Sequence, residues 1–169
     1  MKRNLFLGML CLMAFSLCVM TGCKDEDEPK NDKSDGLVTE GYADLGLTSG
    51  TKWKATNEGD EYYTFDEATK KFGKKLPDTV QFSELVRECT WTWVGDGYKI
   101  TGKNGKSIML PAAGFRDCEG DVYNVGIEGF YWTSKSLGPQ RGYRLGLYKF
   151  GKSINYHDRC GHGSVRLIE

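Results

Sequence analysis

The stretch "RDCEGDVYNVGIEG" carries the acids Asp117, Glu119, Asp121 and Glu128. The first three alternate, and Glu128 follows Asp117 by the interval at which a calcium-binding loop places its bidentate carboxylate. Val122 stands where such a loop needs glycine, so a solvated acidic loop competes with calcium, and no cofactor is expected. In "YHDRCGHG", His157, Cys160 and His162 have the residue types of a zinc site but not a recurrent ligand spacing, and an exposed loop accounts for them equally well. No Ser/His/Asp order, GxSxG elbow, phosphate loop or paired-carboxylate motif stands out, so no catalysis is expected. The segments 116–129 and 153–163 both lack strand alternation, which leaves their side chains uncommitted to a core. They mix charge with rings: Arg116, Asp117, Glu119, Asp121 and Tyr123 in one, and Tyr156, His157, Asp158 and Arg159 in the other. Oriented hydrogen bonds beside a stacking face suit a glycan or the rim of a protein, and these are the candidate ligand-binding residues. Two solvated loops are the competing reading.

Elements must hold such loops in place. Turn signals recur every few residues and no helical period runs far, so strands should outnumber helices. "GYADLGLTSGTKWKATN" reads as two strands around a turn at residues 48–50, with Trp53 in the core. Thr64 with Glu67 forms a capping box ahead of Phe65, Ala68 and Phe72, and Gly73 closes that helix. Asp78 with Gln81 caps a second helix whose Phe82, Leu85, Val86 and Cys89 share one face. "TWTWV", "YKITG" and "SIMLPAAGF" follow as strands joined at "GDG" and at Asn104-Gly105, and Trp91 and Trp93, facing one side, are core candidates. Three last strands are expected at 129–134, 143–150 and 164–168. Cys89 reads as a buried free thiol, while Cys118 and Cys160 lie in loops and are the candidates for a disulfide.

The amino terminus indicates where the chain operates. Lys2 and Arg3 precede an apolar run over residues 5–20, long enough for a secretory signal and short for a membrane span. "MTGC" resembles a bacterial lipobox, with Met in the position usually held by Leu, which makes residues 1–22 the signal peptide and Cys23 the lipidated first residue of the mature chain. Residues 23–36, "CKDEDEPKNDKSDG", bring six acids, three lysines and no aromatic, a composition that cannot offset the entropy of ordering and reads as a tether. A lysine followed by consecutive acids after the lipidated cysteine resembles the lipoprotein export signal of Bacteroidetes-type bacteria, implying display on the outer face of the outer membrane. More than one acyl chain would make that anchor stable. Lys2 and Arg3 leave with the signal, so 21 basic residues face 23 acids in the mature chain, and from residue 37 onward 18 face 17. That balance argues against nucleic acid as a partner. Residues 37–169 suffice for one domain with its own core.

Taken in order, "YADLGLTSGTKWKATN", "LPDTVQFSELVRECTWTW", "GYKITGKNGKSIMLPAAGFR", "GFYWTSKS" and "SVRLIE" resemble the Fibrobacter succinogenes major paralogous domain family across residues 42–169. The resemblance implies an α+β, C-type-lectin-like domain of the wider sulfatase-modifying-factor group. Its expected form is a twisted antiparallel sheet with two short helices and long loops, the first and last strands meeting. Members are secreted or lipid-anchored and mostly lack an assigned activity. Residues 57–74 are short where members often carry an insert with a "WGE"-like stretch, so any surface made by that insert is missing. The calcium motifs "EPN" and "WND" of sugar-binding C-type lectins are absent, and the cysteine pair of the sulfatase-modifying relatives cannot be placed. The expected function is non-catalytic binding of an extracellular protein or glycan. An enzyme of the sulfatase-modifying kind and a structural subunit of a surface assembly are the alternatives.

Overall fold

The computed structural model describes residues 36–169. The expected signal segment, Cys23 and the expected tether through residue 35 lie outside the described residues. No helix among the described residues is long and apolar enough to cross a membrane.

The chain mixes two short helices with mostly antiparallel strands. β1 (Tyr42–Asp44) and β2 (Lys52–Lys54) form the first hairpin, with Ala43 opposite the fully buried Trp53. β3 (Tyr63–Thr64) runs into α1 (Phe65–Phe72), and α2 (Thr79–Glu88) follows after a 3-10 turn at Gly73–Lys75. Both capping boxes form. Thr64 Oγ1 accepts from Glu67 N while the Glu67 carboxylate accepts from Thr64 N, and Asp78 with Gln81 does the same. These reciprocal bonds satisfy amide donors that a helix start otherwise leaves orphaned.

β4 (Thr90–Val94), β5 (Gly97–Thr101) and β6 (Ser107–Pro111) make one three-stranded sheet. β9 (Glu128–Leu137), β10 (Arg141–Tyr148) and β11 (Gly151–Asp158) make another, in the order β11-β10-β9. Between them in sequence lie β7 (Phe115–Arg116) and β8 (Val122–Tyr123), and β12 (His162–Gly163) joins β3 and β7. The strands therefore divide over four sheets of two to four strands instead of one twisted sheet. The expected terminal strand at 164–168 is an extended tail. Lys52 N donates to Glu169 O, Lys54 N to Leu167 O and Glu169 N to Lys52 O, so the end of the chain lies along β2, with a bridge between Trp53 and Ile168.

The main core gathers Trp53, Phe82, Leu85, Ile100, Ile108, Leu110, Tyr131, Leu145 and Leu147, so α2 packs against strands of both three-stranded sheets. The turn between β1 and β2 is pinned to α2, because Glu84 accepts from Ser49 N and Oγ and Glu88 from Thr48 N and Oγ1. A smaller core of Phe65, Ala68, Leu76, Trp132, Val165 and Leu167 seats α1. Trp91 and Trp93 are half-buried and pack edge-on to Tyr98 at the margin of the main core. Alternation puts them on one side of β4, but that edge strand leaves part of each ring in solvent.

Cys89 caps the end of α2 as a half-buried free thiol, and burial with the neighbouring Glu88 charge pushes it up to about 11. Thiolate is the reactive form. Iodoacetamide at pH 8 should therefore label Cys89 at least about tenfold more slowly in the folded chain than in urea. Equal rates would mean that the thiol is not shielded.

Candidate functional site

The segment 116–129 is a hairpin, not a long loop. Phe115 pairs with Tyr123 and Arg116 with Val122, and the turn between them is organised by Asp117, whose Oδ1 accepts from the backbone N–H groups of Glu119, Gly120 and Asp121 at 2.8–3.0 Å. Partial burial works against the Asp117 charge, but these donors and the Tyr123 hydroxyl outweigh it and hold the carboxyl below its usual value. Gly114, at φ 74°, lets the chain turn into this hairpin where a Cβ would stand 2.2 Å from Tyr123 O.

The four acids proposed for calcium are not gathered. Asp117 Oδ1 is already committed to its own turn, Glu119 and Asp121 are exposed, and Glu128 accepts from Asn124 Nδ2 at 3.0 Å. No group of three or more His, Cys, Asp or Glu suited to a metal occurs among the described residues. The zinc reading fails for a specific reason. Cys160 is bonded to Cys118, with Cα atoms 5.0 Å apart, so it offers no thiolate. That bond ties the β7–β8 hairpin to the turn after β11.

The segment 153–163 is not a loop either, since β11 runs through Asp158 and β12 begins at His162. Strand alternation then separates residues expected to act together. His157 turns toward the hairpin, its ring edge-on to Phe115 at 6.5 Å, and Phe115 also stacks on Tyr123 at 5.5 Å. Arg144 joins this face, 3.8 Å over the Phe130 ring with Nε donating to Asn155 Oδ1, and burial brings it down to about 10. Burial, with Arg144 nearby, also pushes His157 below its ordinary value.

Tyr156 points the other way, edge-on to Tyr143 with Arg141 over its ring, and Asp158 pairs with Arg141 at 3.3 Å. Arg159 lies over Phe65 and pairs with Asp66. Tyr123 and His157 therefore share a surface that Tyr156, Asp158 and Arg159 do not. Arg116 turns from both, over the ring of Tyr62 at 5.6 Å.

Tyr62 leads to a feature that the residue types did not signal. A cleft of about 690 Å³ opens between segments 54–62, 109–113 and 164–166, with Val125 from the end of the hairpin at its rim. Tyr62, Met109, Pro111 and Val125 supply apolar wall, while Asn57 and Glu61 bring polar groups. Beneath it lies Arg166, fully buried with no carboxylate partner among the described residues: Nη1 donates to Lys54 O at 2.8 Å, and Nη2 to Asn57 Oδ1 and Met109 O at 2.7 and 2.6 Å. Burial pulls its guanidinium below the ordinary value.

Asn57 also donates to Tyr131 Oη, which donates to Pro111 O at 2.6 Å, and the Tyr62 hydroxyl donates to Ala113 O. Three wall segments are thus held by one buried network, so the cleft is shaped before any ligand arrives. A second hollow of about 500 Å³ shares Glu61 and Tyr62 with it and extends to Tyr63, Lys70 and Lys71. The short segment 57–62 thus lines a cleft without any insert. Comparison of the chain with protein-family models, with characterised proteins and with solved structures finds no match.

Proposed function

We propose that the chain is a bacterial lipoprotein, anchored to the outer membrane through Cys23 and displayed outward, whose C-type-lectin-like domain binds an extracellular glycan without catalysis. The observation that carries this reading is the pre-shaped cleft at Tyr62. Its volume of about 690 Å³ falls in the range of about 300–1,000 Å³ usual for small-ligand sites. Its make-up suits a sugar, which offers an apolar ring face to an aromatic side chain and hydroxyls to amide and carboxylate groups. Tyr62 lies between two hollows, an arrangement that accommodates neighbouring units of a chain on either side of one stacking ring. A protein ligand in the same groove is the reading this geometry favours less, because the polar groups line the cleft itself rather than a rim.

The test is a glycan array probed with the full chain in detergent, followed by titration of the strongest hit. Tyr62→Ala should weaken that interaction at least about tenfold, a loss of about 1.4 kcal/mol. Exchanging the exposed Asp60 and Glu61 for alanine should weaken it while leaving the melting temperature nearly unchanged. Undiminished affinity in all of these variants would remove the cleft from the account.

A further inference from the structure

β11 is the edge of its sheet, and its regularity is unusual for an exposed edge. It pairs with β10 over eight residues, from Arg141 opposite Asp158 to Tyr148 opposite Gly151, without a register shift. It carries no proline. Soluble proteins normally blunt such an edge with bulges, prolines or clustered charge, because unpaired backbone groups there template further strands. Only Lys149 and Phe150 separate Tyr148 from Gly151, so the closing pair is hydrogen-bonded and the odd-numbered residues of β11 turn their backbone groups toward β10. Lys152, Ile154, Tyr156 and Asp158 turn theirs outward, the Asp158 carbonyl also accepting from Gly161 N in the turn that follows.

We infer that this edge pairs with the same edge of a second copy of the chain, antiparallel about a two-fold axis through Asn155. The sequence of β11 is self-complementary in that register. Lys152 faces Asp158 of the second copy twice over, Ile154 faces Tyr156, Ser153 faces His157 and Asn155 faces itself. Opposite charges and an aromatic beside a β-branched residue are the favourable cross-strand pairs, and no like charges meet. The outward backbone groups match as well, since Lys152 with Asp158 and Ile154 with Tyr156 become the hydrogen-bonded pairs. Moving the axis to Ile154 leaves Asp158 opposite Phe150, beyond the strand, and moving it to Tyr156 sets Asp158 against Ile154. Only the axis at Asn155 pairs both charges. The present partners of those charges are replaceable at little cost: Asp158 pairs with Arg141 at the surface, and Lys152 rests 5.0 Å over Trp91. The result is one sheet of six strands running through two copies, with the Tyr62 clefts left free.

The test uses the full chain in detergent. Sedimentation should give twice the chain mass. Lys152→Glu and Asp158→Lys should each raise the dimer dissociation constant at least about fivefold by setting like charges opposite, and the double variant should restore it. In a Cys89→Ser background, Asn155→Cys should form an interchain disulfide under mild oxidation, because directly opposed residues lie within bridging range, whereas Ser153→Cys should not. A monomeric wild type at micromolar concentration overturns the inference. So does cross-linking no better at 155 than at 153, failure of the double exchange to restore the dimer, or capture of a different protein by Asn155→Cys.

Discussion

Arg166→Met should destabilise the domain by about 3 kcal/mol or more, because it leaves three neutral acceptors without their donor. Methionine matches the length of the arginine stem and fills much of its volume, so the loss comes from polar groups rather than from a void. The carbonyls of Lys54 and Met109 and the Asn57 side chain would lose their donor, and each buried acceptor left unpaired costs about 1–3 kcal/mol. Against a total domain stability of about 5–15 kcal/mol this is severe. Arg166→Lys should recover only part of it, because one ammonium cannot reproduce a planar fork that reaches three acceptors. Urea unfolding followed by Trp fluorescence measures both variants. A Met variant within about 1 kcal/mol of wild type would mean that the network is not what holds the cleft walls.

Breaking the Cys118–Cys160 bond should cost up to about 4 kcal/mol on the chain-entropy account, since the bond joins cysteines with a sequence separation of 42. The effect should be local as well. Val122 and Tyr123 are exposed, and β8 pairs with β7 over only two residues, so beyond the Phe115–Tyr123 stack the bond is the main tie on the outer part of the hairpin. Cys118→Ser with Cys160→Ser should lower the melting temperature by about 8 °C or more, and limited proteolysis should then cut first within residues 117–125. Unchanged melting together with an uncut hairpin would show that packing around Phe115 suffices without the bond.

What the sequence disclosed was local. The two capping boxes depend on residues three apart, and the Asn104-Gly105 turn on adjacent ones, so both helices and the β5–β6 hairpin could be read directly. β11 could not. "GKSINYHD" has only one aliphatic side chain, Ile154, packed against the main core, so the alternation that marks a half-buried strand is too weak to see. The same strand geometry explains why residues adjacent in sequence part company, with His157 at Phe115 and Tyr156 at Tyr143.

The acids at 117, 119 and 121 have a metal-loop spacing, yet Asp117 spends its oxygen on its own turn, a local bond that spacing cannot reveal. The cleft was invisible because its lining comes from segments far apart in the chain, and Arg166 sits in "SVRLI" as one charge in an apolar run. A basic residue flanked by buried Val165 and Leu167 was the one available signal.

Recognition at the Tyr62 cleft is tested most directly by amide chemical-shift mapping of the full chain during titration with the strongest array glycan. The prediction is that perturbations centre on Asn57, Glu61, Tyr62 and Ser164 and spread to Lys71 as occupancy extends into the second hollow. Shifts confined to residues 117–123 and to His157, with the amides around Tyr62 unmoved, would contradict it and place binding on the Phe115 face instead.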